Sequence, residues 1–209
     1  MSQIRQLKTK EMQTFKNLFD QLWNNASNYK RIKRIDFVFD SYVEHSLKEG
    51  ERERRRNVDP IELIKIEQDT PIPIQMDRFW SSCKNKEMLQ SAAATSFIEK
   101  AKMANFTTVL SAKYTDNTGD NDSRDAKIVM NKEVQICSDV RTSVEEGRIV
   151  MHLFHAVQSS ITCLIVLSND TDVVVLLRYI FQLFSNELQE LWIKNYVKKK
   201  TENMSPGGG

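Results

Sequence analysis

Four carboxylates in this chain stand where a divalent cation could use them: Asp40, Glu146, Asp170 and Asp172. Asp40 closes the run Ile35-Asp36-Phe37-Val38-Phe39, whose aromatic and β-branched content favours a short buried strand. Asp170 and Asp172 follow the continuous apolar run Ile161 to Leu167, which reads as a strand covered on both faces. Their i, i+2 spacing aims both side chains the same way if extension continues. Glu146 stands at the start of a helix. Ligands of parallel sheets collect beyond the C-terminal strand ends, where loops converge and helix N-termini point inward. Carboxylates gathered there repel one another unless a cation neutralises them, and hard oxygen donors favour Mg²⁺ or Mn²⁺ over zinc. Two such ions would suit phosphodiester hydrolysis, one activating water and the other steadying the leaving oxygen. Plainer uses exist for the same residues. Asp172 can cap the helix that follows it, Glu146 can complete a capping box with Ser143, and Asp40 can simply end its strand. Spacing alone leaves both readings open.

Other chemistries find little material. The 209 residues hold only six glycines, three of them the terminal Gly207, Gly208 and Gly209, so no glycine-rich phosphate loop can be assembled. Cys83, Cys137 and Cys163 are far apart and odd in number, against a disulfide scaffold or a zinc ribbon. Cys83 and Cys163 lie in apolar surroundings, as inert buried thiols do. His152 and His155 are three apart without a third nearby ligand. Trp23, Trp80 and Trp192 stand beside apolar residues, which favours core packing over base stacking.

Lys and Arg number 30 against 28 Asp and Glu, a balance of +2, so any strong phosphate binding must come from local clustering. One cluster qualifies: Lys48, Arg52, Arg54, Arg55 and Arg56, interleaved with Glu49, Glu51 and Glu53. A mixed run of this kind is also what a solvated helical face or a mobile arm looks like. The polar start, Met1 to Lys10, lacks the apolar core of a signal peptide. Ser168, Asn169, Asp170, Thr171, Asp172 and Arg178 interrupt the most apolar stretch, Ile161 to Phe184, before it reaches the ~20 residues of a bilayer crossing. The expectation is an intracellular protein, cytoplasmic or nuclear, with no membrane partner.

The elements that must position these groups follow from hydrophobic period. Met12, Phe15, Leu18, Phe19 and Leu22 give an amphipathic opening helix. Pro60, Pro71 and Pro73 mark an extended passage in which any strand lies at an edge. Helix resumes near Asp77 over two segments broken near Asn85. Strands are expected over Phe106 to Ala112 and Lys132 to Cys137, with a solvated loop over Thr115 to Asp125. Ile149, Val150, Leu153, Phe154 and Val157 then form a helix's buried stripe. Val173 to Phe184 is apolar on nearly all sides and reads as a buried helix. Helix, strand, turn and helix in this order give the βα rhythm of a parallel sheet.

Several segments occur together in matching order. They are Ile35-Asp36-Phe37-Val38-Phe39-Asp40-Ser41-Tyr42, Ser46-Leu47-Lys48, Glu51-Arg52-Glu53-Arg54-Arg55, Phe79-Trp80 with Asn85-Lys86, Arg148-Ile149-Val150-Met151-His152, and Asp170-Thr171-Asp172-Val173. Together they resemble uncharacterised animal proteins, often in mobile-element-like contexts, related to the PIN-like and flap-endonuclease nuclease fold. The resemblance covers most of Ile35 to Leu191. It implies a three-layer α/β domain with a mainly parallel central sheet flanked by helices. It also implies divalent metals, Mg²⁺ or Mn²⁺, held by Asp40, Glu146, Asp170 and Asp172 as catalytic and metal ligands. Lys48, Arg52, Arg54, Arg55 and Arg56 resemble, in place, an arm that contacts the nucleic-acid backbone.

The departures are specific. Related proteins carry E-E-A-D-T-R where this chain has Ser143-Val144-Glu145-Glu146-Gly147-Arg148, so Glu146 takes the aspartate position and Val144 replaces a glutamate. The family's first strand has no counterpart before the opening helix, and a late acid beyond Leu191 has none either. The expectation is one PIN-like domain over 1–193, incomplete at its N-terminal edge, and a flexible basic and glycine-rich tail over 194–209. Its activity would be that of a weak or inactive metal-dependent nuclease. The alternative is a noncatalytic nucleic-acid- or protein-binding module on the same scaffold.

Overall fold

The computed structural model describes residues 12–39, 59–112, 126–140, 142, 147–168 and 170–194, together with the backbone of 201–204. Asp40, Glu146, Lys48, Arg52, Arg54, Arg55 and Arg56 lie outside the described residues, as do the expected loop at 115–125 and the capping box of Ser143 with Glu146. The protein is α/β. It divides into two compact units, one spanning Lys8–Ser138 and the other carrying Asp139–Gly209. No helix among the described residues is long and apolar enough to cross a membrane.

The first unit opens on α1 (Phe15–Ser27), which buries Phe15, Leu18, Phe19 and Trp23 as its helical period requires. Its first two free N–H groups are taken up by a distant segment: Phe15 N–H donates to the Thr70 carbonyl at 3.0 Å and Lys16 N–H to the Gln68 carbonyl at 2.7 Å. Those carbonyls belong to the proline-bounded strap 59–74, which forms no ladder beyond a single bridge between Thr14 and Pro71. After β1 (Arg34–Val38) and the strap come α2 (Met76–Ser81) and α3 (Cys83–Met103). The break between these helices falls at Ser82, three residues before the expected Asn85. Ser82 is extended, and its hydroxyl caps α3 by accepting the Asn85 N–H at 3.2 Å.

Asn85 itself is fully buried and works as a fastener. Its side-chain oxygen accepts the Leu63 N–H at 2.9 Å, and its amide donates to the carbonyls of Ile61 at 2.6 Å and Phe79 at 3.1 Å. The strap is thereby tied to the start of α3.

Then follow β2 (Thr107–Ser111), β3 (Ala126–Met130) and β4 (Glu133–Cys137). The sheet order is β1-β2-β3-β4, with β1 parallel to β2 and the remaining neighbours antiparallel. Sequence reading passed over β3. The β3–β4 turn uses Asn131 and Lys132 with φ of 52° and 70°, a two-residue reversal without the glycine that normally signals one. Packed on this sheet, Phe97 of α3 lies against Trp23, Phe37 and Phe39, with the Phe37 ring centroid only 4.3 Å away. Asp20 pairs with Lys16 one turn away on α1 and with Lys100 of α3, and the second pair links the two helices.

The second unit holds α4 (Gly147–Gln158), β5 (Cys163–Leu167), α5 (Thr171–Leu183), β6 (Glu190–Lys194) and β7 (Thr201–Met204). β5 runs parallel to β6, and β6 antiparallel to β7, in a three-stranded sheet. β7 thus lies within 194–209, the span expected as a tail. The sheets are mixed: parallel pairing is confined to β1/β2 and β5/β6 among the described strands. Leu153 of α4 and Leu177, Ile180 and Phe181 of α5 form a core with Leu188, Leu191 and Ile193, and Leu164 and Val166 pack against it.

Two expectations about this unit need correction. α5 is not buried all round: Val175, Tyr179 and Leu183, one turn apart, are 71%, 61% and 62% exposed. The second face of β5 is not covered either, since Ile165 is 43% exposed. The core here is filled from one side of each element. On α4 Leu153 is buried and Ile149, Val150 and Val157 pack against this core, as the stripe requires; Arg148, His152 and Ala156 are buried as well, while Phe154 is exposed and meets the Phe184 ring at 5.6 Å.

Candidate functional site

The two described members of the acidic set both follow the C-terminal end of β5. The strand ends at Leu167, and α5 begins at Thr171. Between them Asp170 adopts an extended backbone, with φ −85° and ψ 123°, and serves as the helix N-cap. Its Oδ1 accepts the Asp172 N–H at 3.0 Å, and its own N–H donates to the Ser168 hydroxyl at 3.2 Å. Asp172 lies in the first helical turn, where a negative charge is favoured by the unpaired N–H groups of the helix start. Both residues are exposed. The capping role that spacing allowed for Asp172 therefore belongs to Asp170, two residues earlier.

This is the strand end at which ligands of parallel sheets collect, because β5 has a parallel neighbour in β6. The neighbour ends on a different charge. Lys194 stands in register with Leu167, so β6 brings a lysine to the rim where a further acid would strengthen a cation site. The one acid on β6, Glu190, is in register with Cys163 at the opposite end of the pair, roughly 13 Å away along a five-residue strand. Among the described residues no three His, Cys, Asp or Glu side chains form a group that could hold a metal.

Hard carboxylate oxygens at an exposed strand end nonetheless suit Mg²⁺ or Mn²⁺, which are often held by one or two carboxylates with water and substrate oxygens completing the shell. Asp170 and Asp172 could supply such a shell in part, with Asp170 Oδ1 already engaged by the helix start.

Glu190 organises a small cluster that sequence reading missed. Its Oε2 accepts the Trp192 indole N–H at 2.9 Å and the Cys163 thiol at 3.6 Å. Cys163 is exposed, contrary to the expectation of a buried thiol, because the outer face of β5 is only partly covered. Partial burial and the adjacent Glu190 carboxylate raise its pKa above the ordinary thiol value. The period-2 alternation of Glu190-Leu191-Trp192-Ile193-Lys194 was the available signal, since it sets Glu190 and Trp192 on one face.

Two carboxylates of the first unit, Asp36 and Asp20, are committed to structure. Asp36 on β1 takes a forked pair of hydrogen bonds from Arg34, at 2.6 Å from Nε and 2.7 Å from Nη2. Burial pushes the Asp20 carboxyl up, but hydrogen bonds and charge from Lys100 and Lys16 outweigh that and hold it below its usual range. No protein-family model matches the chain, and neither a curated protein nor a solved structure shows significant similarity to it.

Proposed function

We propose that this chain is a divergent PIN-like, flap-endonuclease-like protein whose capacity to cut nucleic-acid phosphodiesters is weak or lost. The observation that carries the reading is the placement of Asp170 and Asp172 at the exposed C-terminal end of a parallel strand, at the mouth of a helix start. In the proposed arrangement these two aspartates, with Glu146 of the same unit, hold Mg²⁺ or Mn²⁺. Lys48, Arg52, Arg54, Arg55 and Arg56 guide the nucleic-acid backbone. When bound, the cation would lower the pKa of a water and draw charge from the phosphodiester.

The chain's own groups set the limits of that activity. Asp170 divides its carboxylate between the helix start and a cation, and Asp172 offers a second anionic oxygen pair. Lys194, in register with the last residue of β5, adds a positive charge at that strand end. Because affinity follows the summed charge of the ligands, this balance supports one weakly held ion over an efficient pair.

A noncatalytic reading on the same scaffold draws support from the same hydrogen bond: capping alone accounts for Asp170. Cleavage of single-stranded and flap oligonucleotides in Mn²⁺ separates the two. The nuclease reading expects slow cutting that EDTA stops, and that falls at least tenfold when Asp170→Asn and Asp172→Asn are combined. Asparagine retains the cap, so the loss would report the charges and not the helix. Cutting that survives the double substitution rejects this site. Binding without cutting, unchanged by EDTA, favours the noncatalytic module, and its salt dependence distinguishes nucleic-acid from protein partners.

A further inference from the structure

We draw no further inference here: the strongest candidate, the half-exposed face that Cys163, Ile165 and Trp192 form on the β5–β6 sheet, carries nothing because no feature of the structure shows what covers it.

Discussion

A parallel strand pair occurs in each unit, and the two pairs live in opposite environments. In the first unit β2 is buried from Thr108 to Ser111, and β1 lies beneath the rings of Phe97 and Trp23. In the second unit β5 is the more uniformly apolar strand, Cys163-Leu164-Ile165-Val166-Leu167, yet it is the more exposed of the two. Hydropathy marks both as strands. What decides their cover is the bulk that neighbouring helices can bring: α1 and α3 deliver a continuous ring cluster, whereas the core on the β5–β6 sheet is mostly aliphatic and fills one face.

The sharpest way to break this comparison is to remove one anchor from each core. Phe97 is 1% exposed and touches four other rings, so Phe97→Ala should cost ~3–5 kcal/mol. Leu177 is as fully buried, but in a mostly aliphatic core and with a smaller side chain, so Leu177→Ala should fall toward the lower part of the ~2–5 kcal/mol range. Urea unfolding followed by residue-resolved hydrogen exchange would measure both. Equal losses would mean that ring packing does not distinguish the units.

Next in size is Asn85→Ala. It strands the buried Phe79 carbonyl and the part-buried Leu63 N–H and Ile61 carbonyl, and should cost ~1–3 kcal/mol. A loss within experimental error would show that the strap is held by other contacts. Smaller again is Asp170→Ala, expected to lower stability by ~1 kcal/mol through the lost cap, with Asp170→Asn near the unaltered protein. If asparagine is as damaging as alanine, negative charge and not hydrogen bonding is what the helix start requires.

The smallest effect concerns chemistry on the half-exposed face of β5. Because burial and Glu190 raise the Cys163 pKa, its thiolate is scarcer at pH 8 than for an ordinary exposed cysteine, and iodoacetamide should label it slowly. Glu190→Gln keeps an acceptor for the indole but removes the charge, so the pKa should fall and labelling quicken severalfold, the curve of rate against pH moving to lower pH. An unchanged rate would place the restraint in burial alone.

Much of this architecture was legible where a residue's type and its neighbours agree. The stripe of Phe15, Leu18 and Phe19, the β-branched run before Phe39, and the interrupted helix after Asp77 each follow from period and punctuation. β3 was not legible, because its turn relies on Asn131 and Lys132 at positive φ without glycine. The exposure of Val175 and Tyr179 was hidden for another reason: an apolar helix looks the same whether one or both of its sides find partners. Of the acidic site, the strand-end placement of Asp170 and Asp172 could be read in advance. Which of them caps the helix could not, since that depends on where extension stops, at Asp170.

The strap 59–74 has a thermodynamic consequence. Its carbonyls at Gln68 and Thr70 receive the first amides of α1, and its stretch from Ile61 to Leu63 is gripped by Asn85 at the threshold of α3. Two helix beginnings, some seventy positions apart along the polypeptide by the numbering of Phe15 and Asn85, therefore share one peptide ribbon as their closure. Fraying at either would slacken the other, so lesions at the two places should be less than additive.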